Sequence, residues 1–207
     1  MTKPQFHKTL KNGQGGRTKI LKSAADIFVR KGYHQTTVDE IARAMGVAKG
    51  TIYNHFAGKE DLYLAVIRGG VDLLQERLSQ AAARGKNARQ KIMNLIESQL
   101  RFFEQEKDLV LLFLTEFFGR DAHRGRLAID MLSSCLEVIR SVIAEGIGDG
   151  TLREVDLEIS TSSLFGMVTV TAFHFISQGR PINYGEVCAG IAKIFFEGTC
   201  REQAARI

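Results

Sequence analysis

The chain has 207 residues, enough for one large or two small domains, with 44% hydrophobic and 25% charged residues. Two prolines, no tryptophan and no alternating apolar pattern argue against a sheet-rich protein and favour an all-α one. Residues 1–60 hold 11 Lys+Arg against 4 Asp+Glu, and the remainder holds 17 against 19, so the net charge of +5 is concentrated in the first third. A basic segment joined to a slightly acidic body points to nucleic acid met by one part only.

Residues 1–16 are polar and Gly-rich, with Lys3, Lys8 and Lys11, and lack an apolar period. They read as a flexible basic tail, either a frayed end or an arm along DNA, and not as a signal peptide. From Arg17 to Lys31, Ile20, Ala24, Ile27 and Phe28 share one helical face, and Gly32 ends that helix. Thr36 or Thr37 then caps a second helix, with Asp39 or Glu40 as the capping-box partner. Val38, Ile41 and Met45 form its stripe, and Gly46 supplies a turn at positive φ. Val47, Ile52 and Phe56 bury a short third helix. Its other face is left with Lys49, Thr51, Tyr53, Asn54 and His55. Hydrogen-bond donors, one cation and little bulk suit a helix lying in a DNA major groove.

Gly58 precedes a longer helix, about 59–84, with Glu60 and Asp61 at its N-terminus and Leu62, Val66, Leu73 and Leu74 as its stripe. Five more helical stretches follow, at 86–105, 108–118, 122–147, 156–178 and 184–201, with GDGT at 148–151 as a clear turn. Ile159 to Gln178 holds no charged residue but many Ser and Thr. It reads as a helix buried on most sides by protein, with no membrane as partner. Cys135, Cys188 and Cys200 form no CxxC pair and read as buried small apolar residues in a reducing, cytoplasmic setting.

The combination TTVDEIA, GVAKGTIYNHF and KEDL, from Thr36 through Leu62, resembles the TetR family of transcriptional regulators. The resemblance implies an all-α fold of about nine helices: a three-helix DNA-binding head with a helix-turn-helix, and a helical body that dimerises and binds an effector. The expected division is a tail at 1–16, the head at 17–58 and the body at 59–207. It implies that Thr37 donates to a phosphate, and that Lys49, Gly50 and Thr51 meet base edges or nearby phosphates. Tyr53 and His55 would address phosphates, Lys59 would clamp another, and Asn54 sits where members vary. Lys49 serves guanine or a phosphate equally well. The partners expected are double-stranded operator DNA, a second copy of the chain and a small effector.

No nucleophile elbow, phosphate loop, HExxH or paired-acid motif is present, and His7, His34, His55, His123 and His174 lack metal-ligand spacing. The expectation is no enzyme, no metal and no cofactor. A DNA-binding protein without an effector stays open beside the ligand-released repressor. Phe103, Phe113, Phe117, Met131, Phe165 and Met167 are candidates to line an effector cavity, and few charges on the inner faces favour an apolar or amphipathic effector. Arg120, His123 and Arg124 cluster at a helix break, as a solvated basic corner or as the partner of an anionic headgroup. The last two helices are expected to build the dimer, through Val187, Ile191, Ile194, Phe195 and Gly198 on one and Ser163, Gly166 and Thr169 on the other.

Overall fold

The computed structural model describes residues 15–117, 119 and 121–199. Most of the tail, Phe118, Arg120 and Cys200 lie outside them. Among the described residues the structure is all-α, with nine helices. These are α1 (Gly16–Gln35), α2 (Val38–Met45), α3 (Lys49–Tyr53), α4 (Lys59–Ala83), α5 (Ala88–Gln105), α6 (Lys107–Phe117), α7 (Ala122–Gly148), α8 (Leu157–Ser177) and α9 (Tyr184–Thr199). The chain falls into two compact units: the segment up to Leu73 with Gln105–Met131, and Leu74–Glu104 with the segment from Leu132 onward.

In the first unit, α1 packs on α2 and on α6, and α2 packs on α3. Gly32 interrupts α1 at φ 74° and ψ 171°, so the regular helix stops where the sequence reading ends it and a final turn runs on to Gln35. The side chain of Thr37 caps α2 by accepting from the Glu40 N–H at 3.2 Å. Thr36 is buried and donates to the Gly32 carbonyl at 2.8 Å. Gly46 closes α2 at φ 67°, the left-handed conformation that glycine reaches without steric cost. Ile20, Phe28, Ile41, Ile52, Phe56 and Leu62 are buried. Removing water from these apolar stripes holds α1, α2 and α3 together.

In the second unit α8 packs on α9, and Ile92, Leu95, Leu100, Ile143, Leu164 and Val168 are buried. Three polar residues, Gln99, Ser160 and Thr161, are buried in that unit. Gln99 is 1% exposed, and its amide donates to the Phe165 carbonyl at 3.2 Å and to the Thr169 hydroxyl at 3.0 Å. The two bonds tie α5 to α8 at one register and satisfy an amide that would otherwise be costly to bury. Cys135 and Cys188 are buried thiols.

Two expectations need correction. Ile191 and Phe195 are 5% and 4% exposed, so the chain itself covers them and they are not an open dimer surface. The α8 helix is long and apolar enough to cross a membrane, yet only 28% of its apolar window is buried. It is therefore not enclosed on most sides by its own chain. Ile159, Val170 and Phe173 are 67%, 66% and 41% exposed, and Ile194 on α9 is 64% exposed. Periodicity marks apolar faces but cannot say which of them the same chain covers.

Candidate functional site

The α2–α3 pair is a helix-turn-helix. Val38, Ile41, Ile52 and Phe56 face the interior. Lys49, Gly50, Thr51, Tyr53, Asn54 and His55 are all exposed, and so is Thr37 at the start of α2. The sequence-predicted residues of α3 are thus exposed beside the buried Ile52, and Lys49 reaches Asp39 in the first turn of α2. Nothing lies within 4 Å of the position a Cβ would take on Gly50. No protein packing therefore requires glycine there. A Cβ on Gly16 would come within 3.2 Å of His55 Nε2, which places the start of α1 beside the end of α3.

The head's charges are partly engaged within it. Lys49 Nζ donates to Asp39 at 2.8 Å, and this hydrogen bond raises the lysine above its ordinary pKa. Lys49 also lies 5.9 Å from the Tyr53 ring centroid. Lys31 pairs with Glu40 and holds that carboxyl below its ordinary range. Pairs this exposed add little stability. Lys59 is half-buried, and its Nζ donates to the Tyr33 carbonyl at 3.0 Å and lies 4.3 Å from the Tyr33 ring centroid. Sequence reasoning missed these internal partners, because Asp39 and Tyr33 are 10 and 26 residues from the lysines they hold.

The effector candidates fall in both units: Phe113, Phe117 and Met131 in the first, Phe103, Phe165 and Met167 in the second. Phe103 and Met131 are buried, Phe113, Phe165 and Met167 are half-buried, and the Phe117 side chain lies outside the described part. Within the first unit a cleft of about 720 Å³ is lined by Phe28, Tyr33, Tyr63, Leu111, Leu112 and Arg124, among others, and by none of the six candidates. Arg124 is 7% exposed, bridges to Asp121 at 3.2 Å and lies 4.3 Å from the Tyr33 ring centroid. It is therefore not a solvated basic corner. The signal for this burial was weak in sequence, since a charged residue near a helix start is usually exposed. Among the described residues no group of His, Cys, Asp and Glu is arranged to hold a metal.

The fold and the exposed recognition face define a helix-turn-helix DNA-binding protein with a helical body. Residues 20–66 match the bacterial regulatory proteins of the tetR family, and residues 85–199 match the tetracyclin repressor-like C-terminal domain. The chain belongs to the TetR family, and it is a transcriptional regulator rather than an enzyme. It is 22% identical over 180 residues to the fatty acid metabolism regulator protein of Bacillus subtilis, covering 86% of this chain and 93% of that one. It is 28% identical over 184 residues to the transcriptional repressor KstR2 of Rhodococcus jostii, covering 87% of each. The crystal structure of FadR from Bacillus subtilis in complex with stearoyl-CoA superimposes with a TM-score of 0.78 at 22% identity, covering 87% of this chain and 97% of that chain.

Proposed function

We propose that this regulator is a repressor that binds an inverted-repeat operator as a homodimer and leaves it when an amphipathic effector, of the long-chain acyl thioester class, occupies its helical body. The observation that carries the DNA reading is the single exposed face of α3, with Lys49, Thr51, Tyr53, Asn54 and His55 together and apolar residues beneath. Thr37 and Lys59 flank that face as phosphate contacts. The Thr37 oxygen already accepts from Glu40, so its own proton remains to donate. The second subunit would cover the outward apolar residues Ile159, Val170, Phe173 and Ile194, whose exposure in one chain is otherwise hard to reconcile with a stable surface. Gly166 and Gly190 lie on α8 and α9 and allow close helix approach.

The effector class is supported by the apolar interior, by the few charged side chains in it, and by the stearoyl-CoA held by the Bacillus subtilis FadR. Selection of binding sites from random DNA is expected to return an inverted repeat. Stearoyl-CoA is then expected to lower affinity for the selected duplex. Reciprocally, the duplex should weaken stearoyl-CoA binding by the same factor, roughly 5–150-fold for a typical coupling. A selection without two-fold symmetry would sink the operator reading. Binding of stearoyl-CoA that is equal with and without the duplex would leave a DNA-binding dimer insensitive to this ligand.

A further inference from the structure

Tyr33 carries two cations from distant parts of the chain. Lys59, the first residue of α4, donates to its carbonyl at 3.0 Å and lies 4.3 Å from its ring centroid. Arg124, in the first turn of α7, also lies 4.3 Å from that centroid. The ring is held on other sides as well. Tyr63 of α4 packs at 4.8 Å between centroids, and Tyr63 in turn meets Phe28 edge-on at 4.8 Å. The backbone there is specified by Gly32, whose positive φ turns the chain before Tyr33, and by the Thr36 N–H, which donates to the same Tyr33 carbonyl at 3.3 Å. Arg124 is itself fixed. Asp121 accepts from its backbone N–H at 3.0 Å and pairs with its guanidinium at 3.2 Å. All of these residues belong to the first unit.

We propose that Tyr33 is a positioning residue for the phosphate contact of Lys59, and that Arg124 clamps Tyr33 so that the start of α7 sets how well Lys59 is pre-ordered for DNA. An ammonium has three donors, so one bond to the Tyr33 carbonyl leaves two for a phosphate. A free lysine must give up rotamer freedom on meeting DNA. Here the carbonyl and ring have already removed much of it. Cation–π attraction at this spacing is favourable for both cations, and it strengthens where the ring is removed from water. Because α7 continues from Ala122 to Gly148, a displacement of that helix that withdraws Arg124 would release the ring and loosen Lys59. The mechanism rests on the reading of Lys59 as a phosphate contact.

The test uses the full chain and a 30-base-pair duplex of random sequence as probe, since phosphate contacts do not depend on sequence. Binding is measured against salt for the parent, Lys59→Ala, Arg124→Gln, Arg124→Lys and the double variant Lys59→Ala/Arg124→Gln. Lys59→Ala is expected to weaken binding and to reduce the salt slope by about 1 per subunit. Arg124→Gln should weaken binding by roughly two- to ten-fold, as for residues in contact, while Arg124→Lys recovers most of the loss. In the Lys59→Ala background Arg124→Gln should do nothing further. Equal losses in both backgrounds, or no loss in either, would overturn the clamp while leaving Lys59 as a DNA contact. An unchanged affinity and slope for Lys59→Ala would remove the contact itself, and the clamp with it. Thermal unfolding of each variant separates misfolding from these outcomes. For a poorly folded Arg124→Gln the same cycle is run with Tyr33→Leu in its place, with Tyr33→Phe as the variant that keeps the ring.

Discussion

Gly50 sits on the exposed face of α3 with nothing within 4 Å of the place a Cβ would occupy. The free protein therefore has no use for glycine there, and alanine should stabilise the helix by up to about 1 kcal/mol. If DNA approaches this backbone, the same methyl group must reduce binding. Gly50→Ala is expected to raise the melting temperature and to weaken duplex binding at least several-fold. Unchanged binding would move the DNA surface away from Gly50. Cys188 gives a second test at this scale. Burial pushes its thiol up to about 11, Glu97 adds to the rise and Arg101 offsets part of it. The thiolate is the reactive form, so Cys188 should resist alkylation near neutral pH while the protein is folded. Peptide mapping after iodoacetamide treatment should find it unmodified. Rapid labelling of the native protein would show an accessible, reactive thiol instead.

At the scale of elements, Asp121 caps α7 and holds Arg124. Its carboxyl is lowered from the ordinary aspartate value, first by the hydrogen bond from the Arg124 N–H, against some desolvation, and then by the Arg124 charge. A depressed pKa means that the folded state favours the ionised form. The stabilisation is thus complete above the ordinary aspartate value and is lost as pH falls through the lowered one. Asp121→Ala should melt below the parent at pH 7, and the gap should close in acid. A gap that is independent of pH would assign the effect to packing instead. On α8 and α9 the outward and inward residues predict opposite failures. Val170→Lys with Ile194→Glu should yield a folded monomer, whereas charging Ile191 and Phe195 should unfold the subunit, because it would bury unpaired charge. Sedimentation with circular dichroism checks both. A full dimer from the first pair would place the interface elsewhere.

At the scale of the whole molecule, the concentration of positive charge in the first third makes association with DNA an electrostatic event. Affinity should fall steeply and linearly in log–log form with salt, as released counterions predict. A shallow slope would mean that few phosphates are neutralised and that Lys49 stays with Asp39 in the complex. On the proposed function α4 would carry the coupling, since it begins with Lys59 and runs without a break to Ala83. A 25-residue helix spans about 38 Å. A ligand that prefers one tilt of α4 would then compete with the DNA spacing of the two recognition helices.

Helix periods, glycine turns and a capping threonine are local signals, so the order and extents of the helices were legible in the sequence. The α3 face was legible too, because Ile52 and Phe56 leave only one side of a short helix free. Partners across long separations were not. The engagement of Lys49 by Asp39, the stacking of Lys59 and Arg124 on Tyr33 and the tie from Gln99 to α8 each join segments that have no shared period. The apolar stripe of α9 shows the limit most plainly: Ile191, Ile194 and Phe195 are equivalent in hydrophobicity, yet packing covers two and leaves Ile194 outside. Local pattern determines which residues seek burial. The arrangement of neighbouring helices decides which of them obtain it within the chain, and that depends on distances that only the folded molecule sets.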